Sequence, residues 1–99
     1  MKLAIFYSEL RGDETTLQRL KADKVGVILV GNGIYHATLK EGGEPSTVLK
    51  KDGAEYYVLS EDLETRGFNS DQVDDKVSII NYDQLADLIM NDYEKLVWL

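Results

Sequence analysis

Ninety-nine residues, 43% of them hydrophobic and 29% charged, describe a single soluble domain spanning 1–99, able to bury roughly 60–65% of its unfolded surface in one modest core. Eleven basic residues against eighteen acidic ones leave a net charge of −7, which argues against direct nucleic-acid binding and anionic membranes and favours a basic protein partner. The absence of cysteine excludes disulfides, thiolate nucleophiles, persulfide chemistry and cysteine-based metal sites, and suits a reducing cytoplasm.

The first element is the apolar run Leu3-Ala4-Ile5-Phe6-Tyr7. It is too short for a membrane span, and no small-residue cleavage site follows it, so neither a transmembrane helix nor a secretory signal is expected. Asp13 to Ala22 reads as a helix with Leu17 and Leu20 on one face and Asp13 as its cap. Val25-Gly26-Val27-Ile28-Leu29-Val30 is the second strand. A helix from Ile34 to Lys40 follows it. Residues 41–46 are a turn-rich loop, and Thr47-Val48-Leu49 either ends a helix or forms a small edge element. Tyr56-Tyr57-Val58-Leu59 is the third strand, with its two tyrosines on opposite faces. Ser60 to Arg66 is a helix with Glu61 and Asp62 in its first turn and Gly67 at its end. Asn69 to Lys76 is a polar surface loop. Val77-Ser78-Ile79-Ile80 is the fourth strand. Asn81 and Gln84 have capping-box spacing, and Tyr82, Leu85, Ala86, Leu88 and Ile89 then form one apolar stripe. Lys95-Leu96-Val97-Trp98-Leu99 is a terminal strand or a docked tail. Nearly continuous apolar runs alternating with helices predict a three-layer α/β/α fold around a mostly parallel sheet of four to five strands, with strand order left open.

Gly31-Asn32-Gly33 lies between a strand and a helix, where turned-out backbone N–H groups can cradle an anion. A dinucleotide fingerprint needs glycine at position 36, which is His36, and no Walker lysine follows. A tight turn is the plainer reading. His36 is the only histidine. It supports neither a metal site nor a triad and reads as a surface or interface residue. Glu61 and Asp62 are neighbours on a helix, so their carboxylates point about 100° apart and do not share a catalytic site. Asp74-Asp75 lacks the pattern of a calcium loop. Tyr56, Tyr57 and Trp98 are core aromatics first and subunit-contact candidates second. No catalytic residue, metal or cofactor is predicted.

Tyr57-Val58-Leu59-Ser60-Glu61-Asp62-Leu63-Glu64-Thr65-Arg66-Gly67-Phe68 resembles the TusB/DsrH family, in which a strand runs into a Leu-x-Glu-Asp-Leu-x-x-Arg-Gly stretch. Leu29-Val30-Gly31-Asn32-Gly33-Ile34 is similar to the family's strand ending in a polar–glycine–hydrophobic turn. Ile79-Ile80-Asn81-Tyr82-Asp83-Gln84-Leu85-Ala86-Asp87-Leu88 resembles its Ile-x-Tyr strand-to-helix segment, and Val97-Trp98 its terminal tryptophan. These segments run in order across most of residues 24–99. The resemblance implies a DsrE/F/H-like fold in a cytoplasmic sulfur-relay complex, serving tRNA wobble-uridine thiolation or intracellular sulfur oxidation. It implies sister subunits of the same fold, TusC/TusD-like or DsrE/DsrF-like, and a homodimer when alone. The carrier cysteine of catalytic sister subunits corresponds to about Leu59 here, and leucine cannot hold a persulfide. The expected role is therefore a non-catalytic, structural subunit acting through Gly31, Asn32, Gly33, Ile34, His36, Leu59, Ser60, Glu61 and Asp62. The other reading is a flavodoxin-like module binding a small molecule or phosphate at Gly31-Asn32-Gly33.

Overall fold

In the computed structural model, which describes residues 2–7, 24–38, 49 and 54–98, five strands form one parallel sheet. They are β1 (Lys2–Tyr7), β2 (Lys24–Leu29), β3 (Ala54–Leu59), β4 (Val77–Ile80) and β5 (Lys95–Trp98). Their spatial order is β4-β3-β2-β1-β5. The chain steps outward from β1 to β4, then returns across the sheet to lay β5 against the free side of β1. Three α-helical segments accompany them: α1 (Tyr35–Thr38), α2 (Ser60–Thr65) and α3 (Tyr82–Asp92).

The strand period of two divides the side chains between two faces. One face carries Leu3, Ile5 and Tyr7 of β1, Val25, Val27 and Leu29 of β2, Tyr56 and Val58 of β3, and Val77 of β4. Ile34, Ala37, Leu49 and Leu63 close over them, and every one of these residues is buried. The opposite face carries Ala4, Phe6 and Ile28, packed beneath Leu85, Leu88 and Ile89 of α3 and the ring of Tyr93. Tyr56 and Tyr57 face opposite sides as their adjacency requires: Tyr56 lies in the first cluster and Tyr57 against the second.

Gly26 is glycine because of a neighbour. The phenol of Tyr93 occupies the space where a Cβ at this position would stand. That close approach seats the link between α3 and β5 on the middle of the sheet. Lys24 adds to it, with its ammonium 5.1 Å from the centroid of the Tyr93 ring and 3.9 Å from the Asp92 carboxylate. The last strand is held at its start by Glu94, whose N–H donates to the Lys2 carbonyl at 2.8 Å while its carboxylate accepts from the Lys2 N–H at 3.1 Å.

The capping box at α3 forms as its spacing predicts. The Asn81 side chain accepts from the Gln84 N–H at 2.8 Å, and the Gln84 side chain accepts from the Asn81 N–H at 2.9 Å. A second box, Asn69 with Gln72, opens a short 3-10 turn over Ser70–Gln72 inside the stretch read as a plain loop. Five-strand parallel pairing, with helices on both faces, agrees with the predicted layered fold.

Three details differ from the sequence reading. The helix placed at Ile34–Lys40 starts earlier, as a 3-10 turn at Gly31–Ile34, and becomes α-helical over Tyr35–Thr38. The apolar stripe of α3 is narrower than expected, because Tyr82 and Ala86 stay exposed while Leu85, Leu88 and Ile89 meet the sheet. The two edge strands are not covered on both faces: Ile79 and Ser78 of β4, and Leu96 and Trp98 of β5, remain open. Of the undecided segment 47–49, Leu49 is a buried 3-10 residue; positions 47 and 48, the helix read at 13–22 and the loop at 41–46 lie outside the described residues.

Candidate functional site

In open parallel sheets, sites gather at the carboxyl ends of the strands. Here the end of β2 is turned by two backbone bonds. The Val30 N–H donates to the Tyr7 carbonyl at 3.1 Å, and the Gly33 N–H donates to the Val30 carbonyl at 2.8 Å. Gly31 has φ +53°, a conformation that costs any residue with a Cβ about 1–2 kcal/mol. The Gly33 N–H therefore faces inward and is spent on the protein itself. An anion cradle would need it turned out. Gly33 and Ile34 are buried.

His36 corrects its sequence reading. It is only 2% exposed, and its ring meets that of Tyr7 edge-on with centroids 5.5 Å apart. It fills the space beneath the turn and presents no surface. Tyr35, one residue earlier, points the other way. Its hydroxyl accepts from the Arg66 guanidinium at 3.2 Å, the same guanidinium lies 5.4 Å from its ring centroid, and its ring edge meets Phe68 at 5.8 Å. The pair ties α1 to the end of α2.

The end of β3 runs straight into α2. Leu59 occupies the N-cap position with no side-chain cap and is 4% exposed. The capping work falls to Glu61. Its carboxylate accepts the Ser60 hydroxyl at 3.0 Å and the backbone N–H of Tyr82 at 3.3 Å. Tyr82 is the first residue of α3, where backbone donors lack helical partners. One carboxylate thus links the starts of two helices on opposite faces of the sheet. Its own backbone N–H, the Ser60 hydroxyl and the Tyr82 N–H hold the Glu61 carboxyl below its ordinary value, against a smaller opposing effect of desolvation. Asp62 shares none of these contacts, so the two acids do not act as a pair.

Arg66-Gly67-Phe68 ends α2 with a two-bond stop. The Gly67 N–H donates to the Glu64 carbonyl at 3.1 Å and the Phe68 N–H to the Leu63 carbonyl at 2.9 Å. That pattern needs a left-handed residue after the helix, and Gly67 has φ +77° with open space around it. Glycine is required there by backbone conformation and not by crowding. A shallow pocket of about 250 Å³ lies beside this stop, between α2 and β4, with Leu63, Phe68, Asn69 and Ile79 on its walls. It falls below the roughly 300–1,000 Å³ of small-molecule sites.

The carboxyl edge thus gathers the predicted residues, with the Gly31–Ile34 turn packed against α2. It divides them as well. Ile34, His36 and Leu59 are sealed inside, while Ser60, Glu61 and Asp62 are half-buried at the rim. Among the described residues no group of His, Asp and Glu converges as a metal site, and no helix is long and apolar enough to cross a membrane.

The sequence model of the family described as "DsrH like protein" matches residues 11–95. This chain belongs to the DsrH-like family. Two relatives, each named Protein TusB, are 30% identical to it. The one from Photorhabdus laumondii aligns over 86 residues, 87% of this chain and 87% of its own. The one from Erwinia tasmaniensis aligns over 91 residues, 92% of this chain and 93% of its own. Two solved structures share the fold. Protein MTH1491 of Methanobacterium thermoautotrophicum, of unknown function, superimposes with a TM-score of 0.65 at 10% identity, over 98% of this chain and 99% of its own. Protein Tm0979 of Thermotoga maritima gives 0.61 at 22% identity, over 91% and 93%.

The geometry explains what the DsrH-like segment at 57–68 does in this chain. Leu59 and Leu63 are core anchors, Arg66 clamps Tyr35, and Gly67 permits the helix stop. Glu61, the most chemically suggestive residue, serves as a shared cap. The rim contacts of Tyr35 and of the Tyr82 N–H were missed by sequence reasoning. Only the Tyr35–Arg66 pairing had a signal, the coincidence of an aromatic and an arginine at the ends of two neighbouring helices.

Proposed function

We propose that this DsrH-like chain is a cysteine-free, non-catalytic subunit of a cytoplasmic sulfur-relay complex. It contributes surface to sister subunits of the same fold, TusC/TusD-like or DsrE/DsrF-like, which carry the persulfide toward tRNA wobble-uridine thiolation or within sulfur oxidation. Alone, it pairs with a second copy.

The observation that carries this reading is at Leu59. The position corresponding to a carrier cysteine holds a side chain with no nucleophile, and that side chain is closed into the core at 4% exposure. A sulfur carrier must meet its donor and its acceptor in turn, which requires an accessible thiolate. Neither the atom nor the access is provided here. Membership of the family and the 30% identity to two proteins named TusB support the relay context. A phosphate- or flavin-binding role finds less support, because the Gly33 N–H is committed to the Val30 carbonyl.

The test is co-expression with sister-fold chains from the same genome, followed by size-exclusion chromatography with light scattering. A stable complex of defined mass is expected, together with sulfur transfer by the complex and none by this chain alone. Absence of any complex, or sulfur turnover by the isolated chain, overturns the reading. A thermal-shift series with nucleotides and flavins is expected to be flat.

A further inference from the structure

Among the described residues, the most exposed large apolar side chains, Met90, Trp98, Tyr82 and Leu96, stand on α3 and β5. On β5, Leu96 and Trp98 project to the same face as Ala4 and Phe6, their register partners on β1. The Trp98 ring stacks on Phe6 with centroids 5.0 Å apart. Yet Leu96 is 53% exposed and Trp98 66% exposed. On α3, Tyr82 and Met90 lie two helical repeats apart on one flank, with Ala86 between them. They are 55% and 81% exposed. A right-handed crossover from β4 to β5 turns that flank toward β5. Helix flank and strand face therefore border the same uncovered side of the sheet. The four side chains expose on the order of 500 Å² of mostly apolar surface, the upper end of what a monomer leaves open.

The helix side of this strip is acidic, while Lys2, Lys24 and Lys95 stand at the amino ends of β1, β2 and β5. α3 carries Asp83, Asp87 and Asp92 and no lysine or arginine, and Glu94 follows it. Asp92 is already met by Lys24, whereas Asp83 and Asp87 are exposed on the outer side of the helix. A second copy of this chain would bring Asp83 and Asp87 toward their own images.

We propose that the strip of Tyr82, Met90, Leu96 and Trp98 is the seat of a sister subunit whose facing surface is apolar at its centre and bordered by lysine or arginine. This inference rests on the sulfur-relay reading and assigns the contact to α3 and β5 instead of the carboxyl-edge rim. Charge complementarity along α3 selects the occupant: exposed Asp83 and Asp87 attract a basic rim and repel their own images, so a homodimer of the chain alone uses another surface. At about 500 Å², the strip alone supplies more than half of the roughly 800 Å² that each partner of a stable complex contributes.

Trp98 is the only tryptophan in the chain, so its emission reads the strip directly. The experiment titrates this chain with purified tryptophan-free variants of the sister-fold chains of the same genome, at 50 and 500 mM NaCl. A blue shift of Trp98 emission is expected on binding, with affinity at least tenfold weaker at the higher salt. Leu96→Asp and Met90→Asp are each expected to weaken the complex by a hundredfold or more, and D83K/D87K by tenfold or more. Glu64→Gln, exposed on α2 across the sheet from the strip, should leave binding unchanged. Met90 and the two aspartates are exposed, so their variants keep the fold, checked by circular dichroism. A complex that tolerates Leu96→Asp and Met90→Asp overturns this assignment and leaves the sulfur-relay reading standing. So does binding that tightens with salt, the sign expected of a like-charged copy. Failure of the unmodified chain to bind any sister subunit removes both.

Discussion

The two faces of the sheet are made by the same strands and are closed to different degrees. Toward Leu3, Ile5 and Val27 the strand residues are sealed, and thirteen of the described side chains form one buried cluster. Toward Ala4, Phe6 and Ile28, among the described residues, only α3 and Tyr93 lie across, the buried set shrinks to four, and the cover stops short of β5. The lesson is a division of labour. The sealed face supplies the cooperative stability of the fold. The half-closed face keeps enough burial to seat α3, through Tyr93 over Gly26, and leaves its remaining apolar surface for another molecule.

This contrast can be broken by substitution. Leu63→Ala on the sealed face is expected to cost about 2–5 kcal/mol, the range for a buried leucine that leaves a cavity. Leu88→Ala, half-buried on the sheet side of α3, is expected to cost less than half as much. Equal losses in urea denaturation would mean that both faces carry the fold alike. Gly26→Ala must push the Tyr93 phenol from its seat and is expected to cost about 1–3 kcal/mol, with a changed tyrosine signal in near-ultraviolet circular dichroism. Gly67→Ala forces a Cβ into the left-handed region in open space. It is expected to cost about 1–2 kcal/mol, with no change at Tyr93.

A pH experiment sharpens the comparison on the half-closed face. Tyr57 donates to the Glu55 carboxylate at 2.6 Å. Burial, then that bond, holds its phenol well above the ordinary value of 10.0, and burial raises Tyr93 as well. A raised folded value means that the unfolded chain releases its proton first. The stabilisation is therefore complete below pH 10 and is lost as pH rises above it. Tyr57→Phe should flatten this alkaline loss; an unchanged profile would show that the phenols do not control it. The smallest effect is on stability at the strip itself. Met90→Asp should change unfolding free energy by no more than about 0.5 kcal/mol, while it weakens the docking proposed for that surface by a hundredfold or more.

The strands, the α2 stop and the α3 capping box were legible because each depends on neighbours within about six residues. An apolar run, a glycine after a helix and an Asn–Gln spacing are all local signals. His36 was misread because its burial depends on Tyr7, twenty-nine residues away, and on a turn that begins three residues before the expected helix. Glu61 was correctly placed at a helix start. Its bond to the Tyr82 N–H was invisible because it joins two elements whose adjacency follows only from strand order. The breadth of the α3 stripe was overstated for a related reason: periodicity marks which residues share a helix side, but not how wide a surface that side will meet. Tyr82 and Met90 are apolar beyond what the sheet can cover, and that excess became informative only when β5 was seen at the sheet's edge.

The pairing of β1 with β5 also sets a schedule. Leu3 lies opposite Lys95 and Phe6 opposite Trp98, so the earliest described strand waits for the latest. During synthesis, β1 to β4 can assemble while the final strand is still being made, but β5 can join only after residue 98 has cleared the ribosome. Half of the exposed apolar strip belongs to that late arrival. A polypeptide that stops short of β5 cannot display it, and the docking proposed for the strip is thereby reserved for molecules whose translation has passed residue 98.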